Sequence, residues 1–597
     1  MTAYHLTLNG QGYLIDLASY RKEAGEQFAG KQASGNRLYA DLKDVAVWAQ
    51  TDWRGGRGYR RWDDGHPGRW QAGAGLDTLG EGQLQSGPSA TAVSAWAPSP
   101  AAAGIRGFVT YRSGLFWATA VSGTLYLYRA ETEGVAPAVY SAAGPTAAGG
   151  LAAYKDAVWL GSGSDGRLYK FDASAGTFAL TTTLAGAQGI PAMAVYVPSG
   201  TTRLLYLGVS YDAGSQVYAW DGTTATSLIT LEGATAEYLF AFDGKLYVAA
   251  ADAGGNGLLY SYDGTDWRLV ATLAENWVQS GAALGTSYYL GAGRDNRIWQ
   301  FNGRDLVEVL AGYGPSGSRV RGMVAFRGRL YAGLAWSDSF RTVVASADGL
   351  AWHELRPEGL TVAGAGGLGV RHLGALNGTL YLAEELAAGT GARVYKLGLG
   401  STYNAAGTLE TARFDAGLPS VDKAWRRITA THAPLQSGQS VAVAYRLDGA
   451  AGWTPLVSNG VAGTTTSAAT FPPATTGREI ELQVMLTSGG SSTATVKSVL
   501  VEYALMPDVR RAWEFDVLLE GTGAAPLRTL DGTVEPLTGA QLSAALWAAR
   551  GSKGTLAFVD LDGASYRVYF ADLRETVARL PHRDGWQTRA RVKLVEA

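Results

Sequence analysis

One phrase recurs seven times between about Gly107 and Leu397: a small or polar residue, an apolar one, an aromatic, then Ala, Val, Leu or Gly. It reads GLFWA at Gly114, DAVWL at Asp156, RLLYL at Arg203, GKLYV at Gly244, TSYYL at Thr286, GRLYA at Gly328 and GTLYL at Gly378. The aromatics Trp117, Trp159, Tyr206, Tyr247, Tyr289, Tyr331 and Tyr381 follow one another at intervals of 42, 47, 41, 42, 42 and 50 residues. A period of that length means stacked supersecondary units, none of which can bury its apolar face without a neighbour.

The unit around Tyr247 resolves into four short apolar or alternating runs separated by turn residues, with Asp-Gly supplying the positive φ of a tight hairpin. A second phrase keeps the same register: LYLYRA at Leu125, LYKFDA at Leu168, VYAWDG at Val217, LYSYDG at Leu259, IWQFNG at Ile298, VVASADG at Val343 and VYKLGLG at Val394. Four antiparallel strands per repeat make one propeller blade. The expected fold is therefore predominantly all-β, with a seven-bladed β-propeller over residues 96–403 at about 43 residues per blade, the irregular first and last repeats leaving six or eight blades as alternatives.

Three further regions flank it. Residues 1–95 show no sustained helical period and are expected to be extended segments that attach to something else. Residues 404–506 carry alternating strands joined by Gly, Ser and Thr turns, as in a β-sandwich. Residues 507–597 read as a small α+β domain, with a helix capped by Thr538 and Gln541, an apolar stripe of Leu542, Ala545, Leu546 and Ala549, and Gly551 at its end.

Composition excludes several function classes. With 80 Gly, 18 Trp and 30 Tyr the chain is rich in turns and aromatic strands, and its formal net charge of −2 gives no overall bias toward nucleic acid or membrane. There is no Cys, so neither disulfides nor a thiolate metal site is available. The N-terminus lacks a basic segment followed by an apolar stretch, and no run of 18 apolar residues occurs, so neither signal-dependent export nor membrane insertion is expected.

No catalytic, cofactor or metal residue emerges. His5, His66, His353, His372, His432 and His582 stand outside metal-ligand spacing of one another. GSGSDG at Gly161 matches a dinucleotide fingerprint in letters but leads into a strand, where phosphate binding needs a helix N-terminus. GAGGLG at Gly364 fails alike, and DLDG at Asp560 reads as a hairpin turn. Within residues 51–70, Trp53, Arg54, Arg57, Tyr59, Arg60, Arg61, Trp62 and Trp70 interleave cations with aromatics. Asp52, Asp63 and Asp64 offset three of the five arginine charges there, which favours a protein interface over single-stranded nucleic acid.

Resemblances add to this reading. SYDGTDW at Ser261 and SADGLAW at Ser346 resemble the Asp-box of sialidase-like propellers, which is structural in that family. GTLETARFDAGLPSVDKAWRRI at Gly407, the C-terminal pattern of Trp513, a short helix and FVDLDGASYRVYF, and the DWRGGRGYRRW opening are similar to segments of minor tail, baseplate and tail-tip proteins of long-tailed bacteriophages. The resemblance implies a non-enzymatic structural component of a phage tail at the tip, baseplate or fibre attachment, assembled in the host cytoplasm, with no cofactor. Its partners would be other tail proteins, further copies of itself in the virion, and a host cell-surface glycan, with residues 507–597 docking to the particle. The competing reading is a polysaccharide-binding or glycan-cleaving propeller protein.

Overall fold

The recurring phrase is the second strand of a four-stranded antiparallel sheet, and seven such sheets follow one another in the computed structural model. The structure describes all residues except 1–2, 28–44, 59–67, 102–103, 199–201, 274–277, 294, 313–316, 337–339, 361–368, 386–391, 507, 521–525, 553, 580–585 and 597. The first strands of the seven sheets are Arg106–Tyr111, Ala148–Tyr154, Gly189–Tyr196, Ala234–Phe242, Val278–Leu284, Arg319–Phe326 and Gly369–Leu376. Each packs against the first strand of the next sheet, and Gly369–Leu376 packs against Arg106–Tyr111. The remaining strands of each sheet are added as a meander, so every pairing is local. The seventh sheet is the exception, because its fourth strand is Ala90–Ala92, from ahead of the first sheet.

The phrase works by pairing an aromatic with a small residue two positions on, both on the face that meets the following sheet. Trp159, Tyr206, Tyr247, Tyr289, Tyr331 and Tyr381 are all at most 3% exposed and cluster with side chains of the next sheet. Two residues later come Gly161, Gly208, Ala249, Gly291, Gly333 and Ala383. The first sheet corrects the sequence reading: Phe116 packs forward with Leu160 and Phe171, while Trp117 turns back onto Leu376 and Tyr381. Phe116 is thus the equivalent aromatic, Ala118 its small partner, and the interval to Trp159 becomes 43 residues. Adjacent aromatics on a strand point to opposite faces, so only packing could tell the two apart.

The small residue sets how closely two sheets approach. A Cβ on Gly333 would lie 2.6 Å from Cγ1 and 2.8 Å from the carbonyl oxygen of Val370, and one on Gly291 would lie 2.6 Å from Cγ1 of Val320. Gly333→Val is therefore expected to force the sixth and seventh sheets apart at a cost of about 3 kcal/mol, the upper part of the range for overpacking. Urea unfolding of the variant checks this, and an unchanged midpoint would refute the close-approach account.

Hairpins between third and fourth strands share a side-chain device. Asp172, Asp221, Asp263, Asn302 and Asp348 each accept hydrogen bonds from the backbone N–H groups two and three residues on, at 2.7–3.1 Å. Such Asx turns fix a tight hairpin without help from the rest of the sheet. In the sixth sheet Trp352 also donates to Gly349 O at 3.1 Å and is buried. Gly161, which opens the GSGSDG motif, lies in the second strand of the second sheet, and Arg167–Asp172 follows as the third strand.

Beyond the seven sheets, two sheets face each other across a core that includes Ile428, Val441, Leu482 and Val499. One runs Thr454–Asn459, Ser440–Leu447, Ile480–Thr487, Ala406–Thr411 and Trp70–Ala74; the other is built on Asp422–His432 and Thr495–Met506. The last sheet combines Asp508–Leu518, Leu556–Val559, Ser565–Arg579 and Trp586–Glu596 with Leu6–Leu8, Gln11–Tyr13 and Ile15–Gln27. Helix α1 (Gly539–Gly551) packs on it through Leu542 and Leu546, capped by Thr538 and Gln541 in a reciprocal pair. It is the one α-helix among the described residues.

Residues 1–95, set apart by the sequence as a separate attachment region, are thus divided among all three parts. Asp560 shows how firmly one end is held: it accepts from Tyr20 Oη at 2.5 Å, Lys22 Nζ at 2.6 Å, Trp513 Nε1 at 3.1 Å and Leu561 N at 2.8 Å. These donors saturate the carboxylate within the chain, which accounts for the DLDG motif as a structural turn. Asn404, fully buried, ties the sandwich to the sixth sheet, with its Nδ2 3.2 Å from Gly75 O and 3.1 Å from Leu355 O and its Oδ1 accepting from Glu358 N at 2.7 Å.

Candidate functional site

Every first strand carries one extra residue relative to its partner at the same place. Pairing with the second strand slips opposite Trp117 in the first sheet, between Ala148 and Leu151 in the second, and between Gly189 and Ala192 in the third. It slips between Ala236 and Tyr238, Val278 and Ser280, Val320 and Gly322, and Val370 and His372 in the other four. A β-bulge re-aims the residue it inserts. The inserted residues Glu237, Arg321 and Arg371 line a cavity of about 800 Å³ to which the first strands of all seven sheets contribute.

The lining carries charged side chains. Arg106, Arg319, Arg321 and Arg371 stand around it against one carboxyl, that of Glu237, among the described lining residues. Burial pushes the Glu237 carboxyl up to about 7, with the Val278 N–H and the charges of Arg319 and Arg321 acting the other way. Burial holds His372 well below the ordinary imidazole value, and Arg371, Arg106 and Arg321 lower it further. The imidazole is therefore neutral at pH 7, and its Nε2 has no hydrogen-bond partner among the described residues. Tyr238 anchors one wall, donating to Gly281 O at 3.0 Å and sharing a 2.9 Å hydrogen bond with Tyr288. Hydrolysis of a glycosidic bond by the usual route requires two facing carboxyl groups.

The residues singled out around position 60 lie elsewhere. Trp53 and Trp70, assigned from the sequence to a partner interface, are 0% and 2% exposed in the sandwich core, with Trp70 Nε1 donating to Trp53 O at 3.1 Å. Large apolar rings gain more from that core than they could from open solvent. Arg54 is exposed and forms a bidentate pair with Asp52 at 2.9–3.2 Å, which holds the Asp52 carboxyl below its usual range. Arg57 donates to Gln71 O at 3.2 Å and lines a cleft of about 240 Å³ with Glu354 and Glu410, between the sixth sheet and the sandwich. Tyr59, Arg60, Arg61 and Trp62 lie outside the described residues.

Of the histidines, His353 and His432 are buried: the Thr78 hydroxyl meets His353 Nδ1, whose Nε2 has no hydrogen-bond partner among the described residues, and His432 Nε2 lies 2.8 Å from Ser467 Oγ. Among the described residues no group of three or more His, Asp or Glu is placed to hold a metal ion, and no helix is long and apolar enough to cross a membrane. The cavity residues escaped the sequence reading. Their signal is a charge inside an otherwise apolar first strand, as in Arg319-Val-Arg321 and Val370-Arg371-His372.

No family model and no curated protein matches the chain. Among solved structures, the computationally designed protein Ika8 aligns with a TM-score of 0.31 and 15% identity, over 49% of this chain and 96% of its own. The extracellular domain assigned to a one-component system of B. thetaiotaomicron aligns with a TM-score of 0.38 and 12% identity, over 53% of this chain and 40% of its own. Likeness at this level carries no inference about fold or function.

Proposed function

We propose that the seven sheets close into a seven-bladed β-propeller around the cavity, and that the chain is a non-enzymatic structural component of a bacteriophage tail. One observation carries the ring: the strand Ala90–Ala92, ahead of the first sheet, completes the seventh. Closure of that kind lets hydrogen bonds between the two ends of the repeat region hold the circle shut, and the packing of Gly369–Leu376 on Arg106–Tyr111 supports it. The Asn404 clamp joins the ring to the sandwich, so a load applied at one reaches the other without a flexible linker, and Asp560 ties the N-terminal strand Ile15–Gln27 into the last sheet. That is the property a tail tip, baseplate or fibre attachment needs, and the resemblance of the Gly407 segment and the C-terminal pattern to tail proteins gives the setting.

Mass spectrometry of purified virions from the producing lysate tests the setting. The chain is expected at a fixed ratio to the major tail protein, and its absence from particles would overturn the assignment. The cavity favours a second role within the same reading, recognition of a surface ligand. A glycan array paired with a reducing-sugar assay is expected to give binding without turnover, whereas turnover would replace the structural reading with the enzymatic one.

A further inference from the structure

We propose that the cleft between the sixth sheet and the sandwich binds a small zwitterion, a molecule carrying one carboxylate and one ammonium group as a free α-amino acid does. Arg356 would hold the carboxylate, and Glu354 and Glu410 the ammonium. All three side chains line the cleft, Glu354 from the last strand of the sixth sheet, Arg356 from just beyond it and Glu410 from Ala406–Thr411 of the sandwich. Ala72, Gly73 and Ala74 line it too, and residues so small leave its volume of about 240 Å³ open. Clefts where two folded parts meet are favoured places for ligands, and this one falls below the range of about 300–1,000 Å³ for drug-sized occupants, so its occupant is small.

Arg356 is the residue that sets this cleft apart. Its φ is +39°, a left-handed conformation that a non-glycine residue keeps only where its surroundings enforce it. Asn404 does so, donating to the carbonyl oxygens of Leu355 at 3.1 Å and Arg356 at 3.2 Å while its Oδ1 accepts from Glu358 N at 2.7 Å. The side chain is exposed, and its guanidinium forms no hydrogen bond or ion pair among the described residues, although its charge acts on Glu354. A guanidinium fork matches the paired oxygens of a carboxylate. On the opposite pole, burial raises the Glu354 carboxyl, with the charge of Arg356 and the Thr342 hydroxyl acting the other way, and Glu410 lies 3.7 Å from Arg446. A carboxylate that burial disfavours gains from an arriving cation. An occupant of one sign would meet a like charge at one pole of so small a cleft, whereas a zwitterion meets none. This site is separate from the central cavity, and its test does not depend on the tail assignment.

Isothermal titration of the full chain with L-alanine, with acetate and with ethylammonium is the test. Saturable binding of alanine is expected, at least tenfold tighter than that of either singly charged probe. Glycine adopts the left-handed backbone at position 356 without steric cost. Arg356→Gly is therefore expected to weaken alanine binding at least tenfold while the unfolding midpoint holds or rises, which separates a ligand-binding arginine from a structural one. If that variant fails to fold, Glu410→Gln is expected to weaken binding at least threefold. Absence of saturable alanine binding, acetate or ethylammonium bound as tightly as alanine, or affinity unaltered in a folded variant would overturn the proposal.

Discussion

Removing residues 1–95 is expected to abolish folding of the remaining chain, with no intact fragment of residues 96–597 recovered. The deletion takes Trp53 and Trp70 out of the sandwich core, and loss of one buried tryptophan side chain costs about 3–5 kcal/mol. Two such losses, about 6–10 kcal/mol, match the whole stability of a typical domain. The same cut strips Ala90–Ala92 from Arg393–Leu397, leaving a bare edge on the seventh sheet, and removes three strands from the last sheet. Asp560 would then lose Tyr20 and Lys22 and remain against Trp513 as a poorly compensated buried carboxylate. Soluble expression and thermal unfolding followed by circular dichroism check this. A soluble fragment with a cooperative transition near that of the full chain would show that the N-terminal segments are accessories. A cut after residue 507 is disruptive for the reciprocal reason, since it strands Leu6–Leu8, Gln11–Tyr13 and Ile15–Gln27 without their sheet.

What the sequence disclosed divides along the line between local and distant pairing. Second and third strands were legible because each alternates beside a turn written next to it in the sequence, Asp243-Gly244 ahead of Lys245–Asp252 and Asp263-Gly264 after Gly257–Tyr262. The helix at Gly539–Gly551 was legible from its capping pair and stripe for the same reason. Ala90–Ala92 was invisible because its partner, Arg393–Leu397, lies some three hundred residues away and three residues carry no pattern. Trp53 and Trp70 suggested a sticky surface only because nothing nearby in sequence announces the sandwich that buries them. Asp263 and Asp348 were recognised through the Trp that follows each. Asp172, Asp221 and Asn302 form the same turn with no such Trp and passed unnoticed, although all three close the recurrent third-strand phrase. Bulges at Glu237, Arg321 and Arg371 were beyond reach, because a bulge is a relation between two strands.

Glu481→Gln is expected to be the most damaging single substitution in the sandwich, at about 3–5 kcal/mol, the cost of breaking a buried ion pair from one side. Glu481 is 2% exposed and its two oxygens are divided between two cations. Arg413 Nε donates to Oε1 at 2.7 Å, and Arg446 Nε donates to Oε2. Arg413 also reaches Glu479 at 2.7 Å, while Arg446 has Glu410 at 3.7 Å and lies 4.3 Å over the ring of Trp453. An amide of equal volume keeps the packing but removes the charge that both guanidinium groups face, so the loss measures electrostatics and not a cavity. If that is its origin, removing the cations as well should undo it: Glu481→Met combined with Arg413→Met and Arg446→Leu is expected to recover most of the stability, since an apolar replacement of a whole buried cluster is often neutral or better. The non-additivity is the decisive quantity. Urea unfolding followed through tryptophan fluorescence gives both values. A Gln variant with an unchanged midpoint would show the cluster to be solvated and weak, and a triple variant worse than the single would show that it is held by packing of the arginine stems.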